Sequence, residues 1–434
     1  MAAELEVWLL GHRAGTLSVL EGRLSFQYSA SWLTQPQAMG LSLGLPLQGE
    51  QFEDHQCRAF FAGLLPEGQL RQLIAQQFQI SRQNDFGLLE VIGGDCAGAV
   101  SLRPAGSGPE AGDRSGVQKG VQSGVEWLDG QQLALLLDEL PRRPMLAGRD
   151  GMRLSLAGAQ DKLPVLFDGE RIGLPRGNTA STHILKPAIA AVQDSVINEA
   201  FCMALAAAMG LPTAKTEILS VADRQVLLVG RYDRRMGDNG QGERLHQEDF
   251  CQALGIVPEL KYQNEGGPDL QRCFELLRRA TRPSAPQVLR LLDAVIFNAL
   301  IGNHDAHAKN FSLLYAGESS KIARHNIARS TLAPLYDLLC TAIYPTLTTK
   351  MAMKVGSTYR FSEVRKRHWE RFALDAGLSG AQTKKRMMRM AQELPQAVQR
   401  LITEPAFSNH ELINKIAALI EQRCALTLRR LAEA

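Results

Sequence analysis

Several features that would classify this chain at once are missing. No stretch approaches about 18 consecutive apolar residues, so no membrane-spanning helix and no membrane partner are expected. The start, Met1-Ala2-Ala3-Glu4-Leu5-Glu6-Val7, has no basic region leading into an apolar core, so no signal peptide is expected. There is no Cys-x-x-Cys, and the seven cysteines are scattered and odd in number, which fits reduced, structural thiols in a cytoplasm. Charge is nearly balanced: a net +3 is too small to imply nucleic-acid binding by itself. No internal repeat is evident. The glycine cluster Gly93-Gly94-Asp95-Cys96-Ala97-Gly98 has neither the Walker Lys-Ser/Thr nor a Gly-x-Gly-x-x-Gly opening a helix, and reads as a turn where backbone packs closely.

At 434 residues the chain is long enough for two or three domains. Residues 4–10, 17–20 and 24–28 alternate as the strands of a small antiparallel sheet, followed by helices near 69–77 and 85–92. The Asp85-Phe86-Gly87 triplet opens that second helix and is not a kinase metal motif. Residues 104–125, rich in Gly, Ser and Pro, predict a linker. The spacing then predicts a helix over 126–140, short strands through 153–235, a helix over 247–254, a strand at 350–355 and amphipathic helices over 362–434. The expected division is 1–103, 104–150, 151–235 and 236–434.

A dense polar knot stands out. Gly302-Asn303-His304-Asp305-Ala306-His307-Ala308-Lys309-Asn310 lies between an apolar helical run and the strand-like Phe311-Ser312-Leu313-Leu314-Tyr315. Burying such a cluster is costly without partners, so a use is expected. Asp305 and Asn310 are five apart, the spacing of a kinase catalytic loop, in which an Asp accepts the substrate hydroxyl's proton and an Asn holds Mg²⁺. A helix cap at Asp305 and a turn at Asn310 would give the same spacing. A second metal ligand is expected at a later strand-to-loop junction, where Asp337 stands. Upstream, Ala157-Gly158-Ala159-Gln160-Asp161 falls between two short apolar segments, either a plain hairpin or a loop of small residues over phosphates. Lys186 closes a strand, Glu199 lies one turn into the next helix and suits pairing with it, and Gly230-Arg231-Tyr232 follows two further strands, where a kinase hinge meets adenine. Residues 351–400 carry eleven Lys or Arg against four acids, which keeps an acidic partner in play.

With these pieces in view the chain resembles the HipA-like serine/threonine kinases, toxins of bacterial type II toxin–antitoxin pairs. The likeness rests on Phe60-Phe61-Ala62-Gly63-Leu64-Leu65-Pro66-Glu67-Gly68, Ser155-Leu156-Ala157-Gly158-Ala159-Gln160-Asp161-Lys162, Thr182-His183-Ile184-Leu185-Lys186-Pro187, Arg244-Leu245-His246-Gln247-Glu248-Asp249, the 302–310 knot and Tyr336-Asp337. It implies an α+β, two-lobed, protein-kinase-like (PI3/4-kinase-like) fold, with a small β-rich N-terminal subdomain and a mostly helical C-terminal lobe. It also implies ATP and Mg²⁺ as cofactors, with Asp305 as base, Asn310 and Asp337 on the metal, and Lys186, Lys309, the loop Ala157, Gly158, Ala159, Gln160, Asp161, and Gly230 and Tyr232 on the nucleotide. Glu199 and His307 would support them, and Ser155 would be a self-phosphorylation site that switches the enzyme off. The implied partners are a protein substrate such as an aminoacyl-tRNA synthetase (glutamyl-tRNA synthetase in the best known case) and a HipB-like helix-turn-helix antitoxin. DNA would be reached through the antitoxin, and the implied location is the bacterial cytoplasm. The stretch 104–125 is longer than expected for the family, and Gly230 replaces a larger polar residue.

Two other classes compete. A metal-dependent phosphohydrolase would use His304 and Asp305 as ligands and would need His246 or His325 beside them. A non-catalytic co-repressor acting with the antitoxin would not need Lys186, Asp305, Asn310 and Asp337 together, and the chain shows no convincing helix-turn-helix of its own.

Overall fold

The computed structural model describes residues 3–106, 124–149, 152–177, 179–236, 242–315 and 330–433. Most of the linker expected at 104–125, and His325, lie outside the described residues.

The chain opens with an antiparallel sheet of β1 (Ala3–Leu9), β2 (His12–Leu20), β3 (Arg23–Tyr28) and β4 (Val100–Pro104), in the order β3-β2-β1-β4. Leu5, Val7 and Leu9 alternate along β1 and are fully buried with Leu17 and Phe26. Each such side chain contributes about 1.5–3 kcal/mol by leaving water. Helices Asp54–Phe61 and Asp85–Ile92 close over this sheet. The glycine cluster is the expected close-packed turn: a Cβ on Gly94 would sit 2.7 Å from the Arg153 carbonyl oxygen, and one on Gly98 2.9 Å from the Gln247 nitrogen. Both contacts are to segments far along the chain, so the turn is an interface.

The second sheet runs β5-β7-β6-β8-β10-β9, with β5 (Val125–Leu128), β6 (Leu163–Phe167), β7 (Ile172–Pro175), β8 (His183–Pro187), β9 (Thr216–Val221) and β10 (Arg224–Gly230). Two expectations change here. The helix predicted over 126–140 begins only at Gly130, because Asp129 caps it and accepts from the Gln132 N–H at 2.8 Å, while 125–128 pairs with β7. This edge strand, which was not expected, and helix Gly130–Glu139 share the core of the sheet. The hairpin reading of 153–167 also fails: Leu154 makes only an isolated parallel bridge to Asp95, and Gly158 one to Pro66. The loop between them is therefore held by the first unit and not by a partner strand. Helix Ser195–Ala208 packs against β9 and β10.

A short ribbon of β11 (Arg234–Met236) and β12 (Gly242–Arg244) leads to a third sheet of β13 (His246–Asp249), β14 (Ser312–Tyr315) and β15 (Ser330–Leu332). The helix predicted over 247–254 is a strand followed by one helical turn, Phe250–Ala253, again because an aspartate, Asp249, caps it. Helices Leu270–Ala280, Ser284–Ile301, Lys366–Asp375, Gly380–Leu401 and Glu411–Ala432 form the second lobe. Helix Ser284–Ile301 is long and apolar enough to cross a membrane, but 61% of it is buried inside this lobe. The strand predicted at 350–355 is absent: Met351, Ala352 and Met353 are buried in succession instead of alternating, and only a Val355–Thr358 bridge forms.

Candidate active site

Helix Ser284–Ile301 stops at Gly302, whose φ of +80° suits the left-handed C-terminal position. The knot is then pinned from its own residues. The Asn303 amide donates to Asn298 Oδ1 at 2.8 Å and to the Asp337 carbonyl at 3.4 Å, while its Oδ1 accepts the Asp305 N–H at 3.1 Å. The Asn310 side chain donates to the Asp305 carbonyl at 3.1 Å. Asp305 itself is exposed into a cleft, and Tyr262 donates its hydroxyl to Oδ1 at 2.6 Å. His307 is buried edge-on to the Tyr262 ring at 5.0 Å, and burial pushes its pKa down. His304 faces away from this chemistry: its ring meets the Thr348 carbonyl and Arg423, each at 3.0 Å.

Lys186 lies in β8 opposite Leu227 and is buried. Its ammonium bonds Glu199 Oε1 at 2.7 Å and also contacts Asp337 Oδ1. Burial alone would depress the lysine, but Asp337 and Glu199 outweigh it and raise its pKa. Burial pushes Glu199 up despite Lys186, whereas at Asp337 the lysines outweigh burial and hold the carboxyl down. Asp337 sits at φ +53°, a sparsely populated region for a residue with a side chain. Tyr336 beside it donates to the Lys309 carbonyl at 2.8 Å and stacks on Tyr232 at 5.6 Å, which joins the Asp337 segment to both the knot and the stretch after β10.

The loop closes the cleft from above. Gly158 has φ +109°, and a Cβ there would meet the Lys162 ammonium at 2.7 Å. Lys162 reaches back to the Ala157 carbonyl, and burial lowers its pKa to about 8. Ala157, Gly158, Ala159, Gln160, Lys162, Lys186, Gly230, Tyr232, Asp305, Asn310 and Asp337 all line one cleft of about 570 Å³, a nucleotide-sized space.

The structure departs from expectation at four positions. Asp161 is absent from the lining; it is half-buried, and burial raises its pKa. Lys309 lines the cleft, but its ammonium is already held by Asp249 at 2.8 Å and by the Gly63 carbonyl at 3.3 Å. At the hinge the N–H groups of Gly230 and Arg231 are taken by the carbonyls of Lys215 and Thr182. Ser155 lies beneath the loop, fully buried, with Oγ donating to the Leu64 carbonyl at 2.8 Å.

Sequence reasoning missed a buried charge cluster. Asp95, from the glycine turn, accepts from Arg234 at 3.0 Å, Arg244 at 2.9 Å and Ser181 at 2.7 Å, with Arg231 at 3.4 Å. Asp233 pairs with Arg231 at 2.8 Å and accepts the Gly98 N–H at 2.7 Å. Burial would raise Asp95, but Arg234, Arg231 and Arg244 hold it well below the usual carboxylate range. Asp95 lies 136 to 149 positions from its arginines and 86 from Ser181, so no local spacing reveals the cluster; the one signal was the Arg-x-Asp-Arg run at 231–234.

Comparison with known proteins agrees with this geometry. The HipA-like C-terminal domain family matches residues 154–400, and the HipA N-terminal domain family matches residues 5–103. A Sinorhizobium fredii protein that carries the name "Putative kinase Y4mE" is 44% identical over 97% of this chain and 98% of its own length. The serine/threonine-protein kinase toxin HipA of Shewanella oneidensis is 28% identical, over 86% of this chain and 83% of its own. The solved structure of Shewanella oneidensis HipA, with HipB and operator DNA, superposes with a TM-score of 0.82 at 25% identity, covering 98% of both chains. Two lobes facing one cleft, carried by a sequence that matches both halves of these proteins, place the chain in the HipA-like family of kinase toxins.

Proposed function

We propose that the chain is an ATP- and Mg²⁺-dependent serine/threonine protein kinase that acts as a toxin. One observation carries this reading. The Lys186 ammonium touches both Glu199 and Asp337, inside the cleft that also presents Asp305 and Asn310. That is the lysine–glutamate pair, metal aspartate, base and asparagine set that phosphoryl transfer to a hydroxyl needs.

Each residue then has a task. Asp305 takes the proton of the acceptor hydroxyl; its Oδ1 is held by Tyr262, which leaves Oδ2 for the acceptor. Lys186 and Lys162 meet the nucleotide phosphates, and the small residues 157–160 let backbone approach them. Tyr232 and Gly230 face the base. The Asp337 carboxylate is 39% exposed, against 7% for the lysine it contacts, so it keeps an open side toward the cleft. With Asn310 it offers oxygen donors, and no group of three His, Cys, Asp or Glu gathers among the described residues. Such a set suits Mg²⁺, which binds through one or two protein oxygens and keeps water and phosphate for the rest. Bound there, the ion would neutralise charge on the phosphates.

Ser155 is the proposed self-phosphorylation site. A phosphate adds about −1.5 to −2 charge and cannot fit beneath the loop, so the loop must lift for modification and cannot return after it. We assign 1–103 to an N-terminal unit, 104–150 to a segment whose strand and helix join the small-lobe sheet, 151–235 to the rest of the small lobe and 236–434 to the helical lobe. A HipB-like antitoxin is the proposed partner, supported by the solved Shewanella assembly, with DNA reached through it. An aminoacyl-tRNA synthetase as acceptor rests on the family resemblance alone. The phosphohydrolase alternative loses its first ligand, since His304 is committed to Thr348 and Arg423.

Transfer of label from γ-labelled ATP to protein tests the proposal. Wild type should label protein, whereas Asp305→Ala and Asp337→Ala should fall at least a thousandfold while still folding. Undiminished labelling in either variant contradicts the assignment.

A further inference from the structure

The N-terminal unit reaches into the cleft through Gly63 and Glu67. Its turn at Pro66-Glu67-Gly68 touches both sides of the site. The Glu67 N–H donates to the Gly158 carbonyl at 3.0 Å, which supports the loop over the phosphates. The Glu67 side chain, 15% exposed, bonds Lys261 at 2.7 Å and lies 3.7 Å from Lys309. Burial alone would raise this carboxyl, but Lys309 and Lys261 outweigh it and hold it down. Lys261 is followed by Tyr262, whose hydroxyl donates to Asp305 at 2.6 Å.

The segment bearing Tyr262 is tightly built. Gly267 N–H donates to the Tyr262 carbonyl at 2.9 Å, and a Cβ on Gly267 would lie 2.1 Å from the Leu260 carbonyl oxygen, so only glycine closes this turn. Gln263 accepts the Lys354 N–H at 2.7 Å, which ties the far side of the turn to the stretch behind the knot. The ring itself rests between the Lys261 ammonium at 5.4 Å and the edge-on His307. Tyr262 is thus a fixed group with one free function, its hydroxyl.

Resting on the kinase reading, we propose that Tyr262 is a positioning residue for Asp305, and that Glu67 of the N-terminal unit holds it in place through Lys261. A carboxylate has two oxygens and rotates about its own bond. A phenol fixed on Oδ1 settles that rotation and directs Oδ2 at the acceptor hydroxyl. Because the same turn also holds Gly158, the N-terminal unit sets the nucleotide loop and the base together. Misplacement of a reacting group by about an ångström costs on the order of a hundredfold in rate, so such a support is worth its place.

The test uses the full chain with γ-labelled ATP, counting label in the chain itself and in added dephosphorylated casein, alongside the affinity for a fluorescent ATP analogue. Tyr262→Phe keeps the ring and removes the hydroxyl. It should lower kcat ten- to a hundredfold, with the analogue's Kd unchanged within twofold. Glu67→Gln should lower kcat in the same way, and Lys261→Met, which cuts the bridge from the other end, should match it if Glu67→Gln folds poorly. The double variant Tyr262→Phe with Glu67→Gln should lose no more than about threefold beyond the worse single variant, because both act through one path. Wild-type kcat in Tyr262→Phe, or losses that multiply in the double variant, overturns the proposal. An Asp305→Asn control separates the two readings: if it labels like wild type, the kinase reading fails; if it is dead while Tyr262→Phe is unimpaired, only this inference fails.

Discussion

At the scale of single residues, the site is a set of charges that neutralise one another. Lys186 is held by two carboxylates, whereas the neighbouring Lys162 reaches only a carbonyl, and burial brings its pKa down to about 8. Phosphates beside it would favour the charged form and raise that value on binding. Linkage fixes the sign: affinity is full below the free-state pKa and falls as pH climbs above about 8 toward the bound-state value. Nucleotide Kd measured from pH 6 to 10 should therefore weaken above about 8 in wild type. Lys162→Arg, which stays charged, should be flat over that range; a wild-type profile equally flat would remove Lys162 from the phosphate site.

The candidate residues that the fold gathers in one cleft were legible in the sequence because they lie close together or fall in a fixed order. Asp305 and Asn310 share one nine-residue knot, and Lys186, Glu199 and Asp337 follow in the sequence of elements. Tyr262, Glu67 and the Asp95 cluster were not legible. Their partners lie 43, 194 and up to 149 positions away, and only the folded chain brings them together.

At the scale of elements, local capping decided where pattern reading failed. Asp129 and Asp249 each start a helix later than apolar content suggests, because a side-chain carboxylate satisfies the first free N–H groups and leaves the preceding residues to pair as strand. The short alternations of 125–128 and 246–249 were overshadowed by the helical signals after them. The loop above the cleft shows a related dependence. It has no strand partner and hangs on Leu64, Pro66 and Asp95 of the N-terminal unit. Ser155→Asp places a charge in that buried contact, at a cost of several kcal/mol if unpaired. It should free the loop: hydrogen exchange at 154–160 should rise and nucleotide affinity fall at least tenfold, while helix Ser284–Ile301 stays protected. Unchanged exchange in the loop would show that Ser155 does not hold it down.

At the scale of the whole molecule, the N-terminal unit is part of the frame that holds the cleft. Asp95 lies among three arginines, one of them in the hinge, and all are buried or nearly so. Separating a buried pair costs about 3–5 kcal/mol, a large share of the stability of an ordinary domain, so the hinge and the first unit are bound to one fate. Glu67 makes a second tie at the catalytic end. Both ties hold the first unit against the cleft that Lys186, Asp305, Asn310 and Asp337 line.

Convergence of those side chains on a metal-bound nucleotide is the claim on which everything else stands. It is tested most directly by titrating ATP into wild type, Lys186→Met and Asp337→Asn, each with and without Mg²⁺, by calorimetry. The account predicts that Mg²⁺ tightens binding to wild type at least tenfold, that Asp337→Asn loses this gain, and that Lys186→Met binds poorly in both conditions. Equal ATP affinity in all three proteins, indifferent to Mg²⁺, would contradict it.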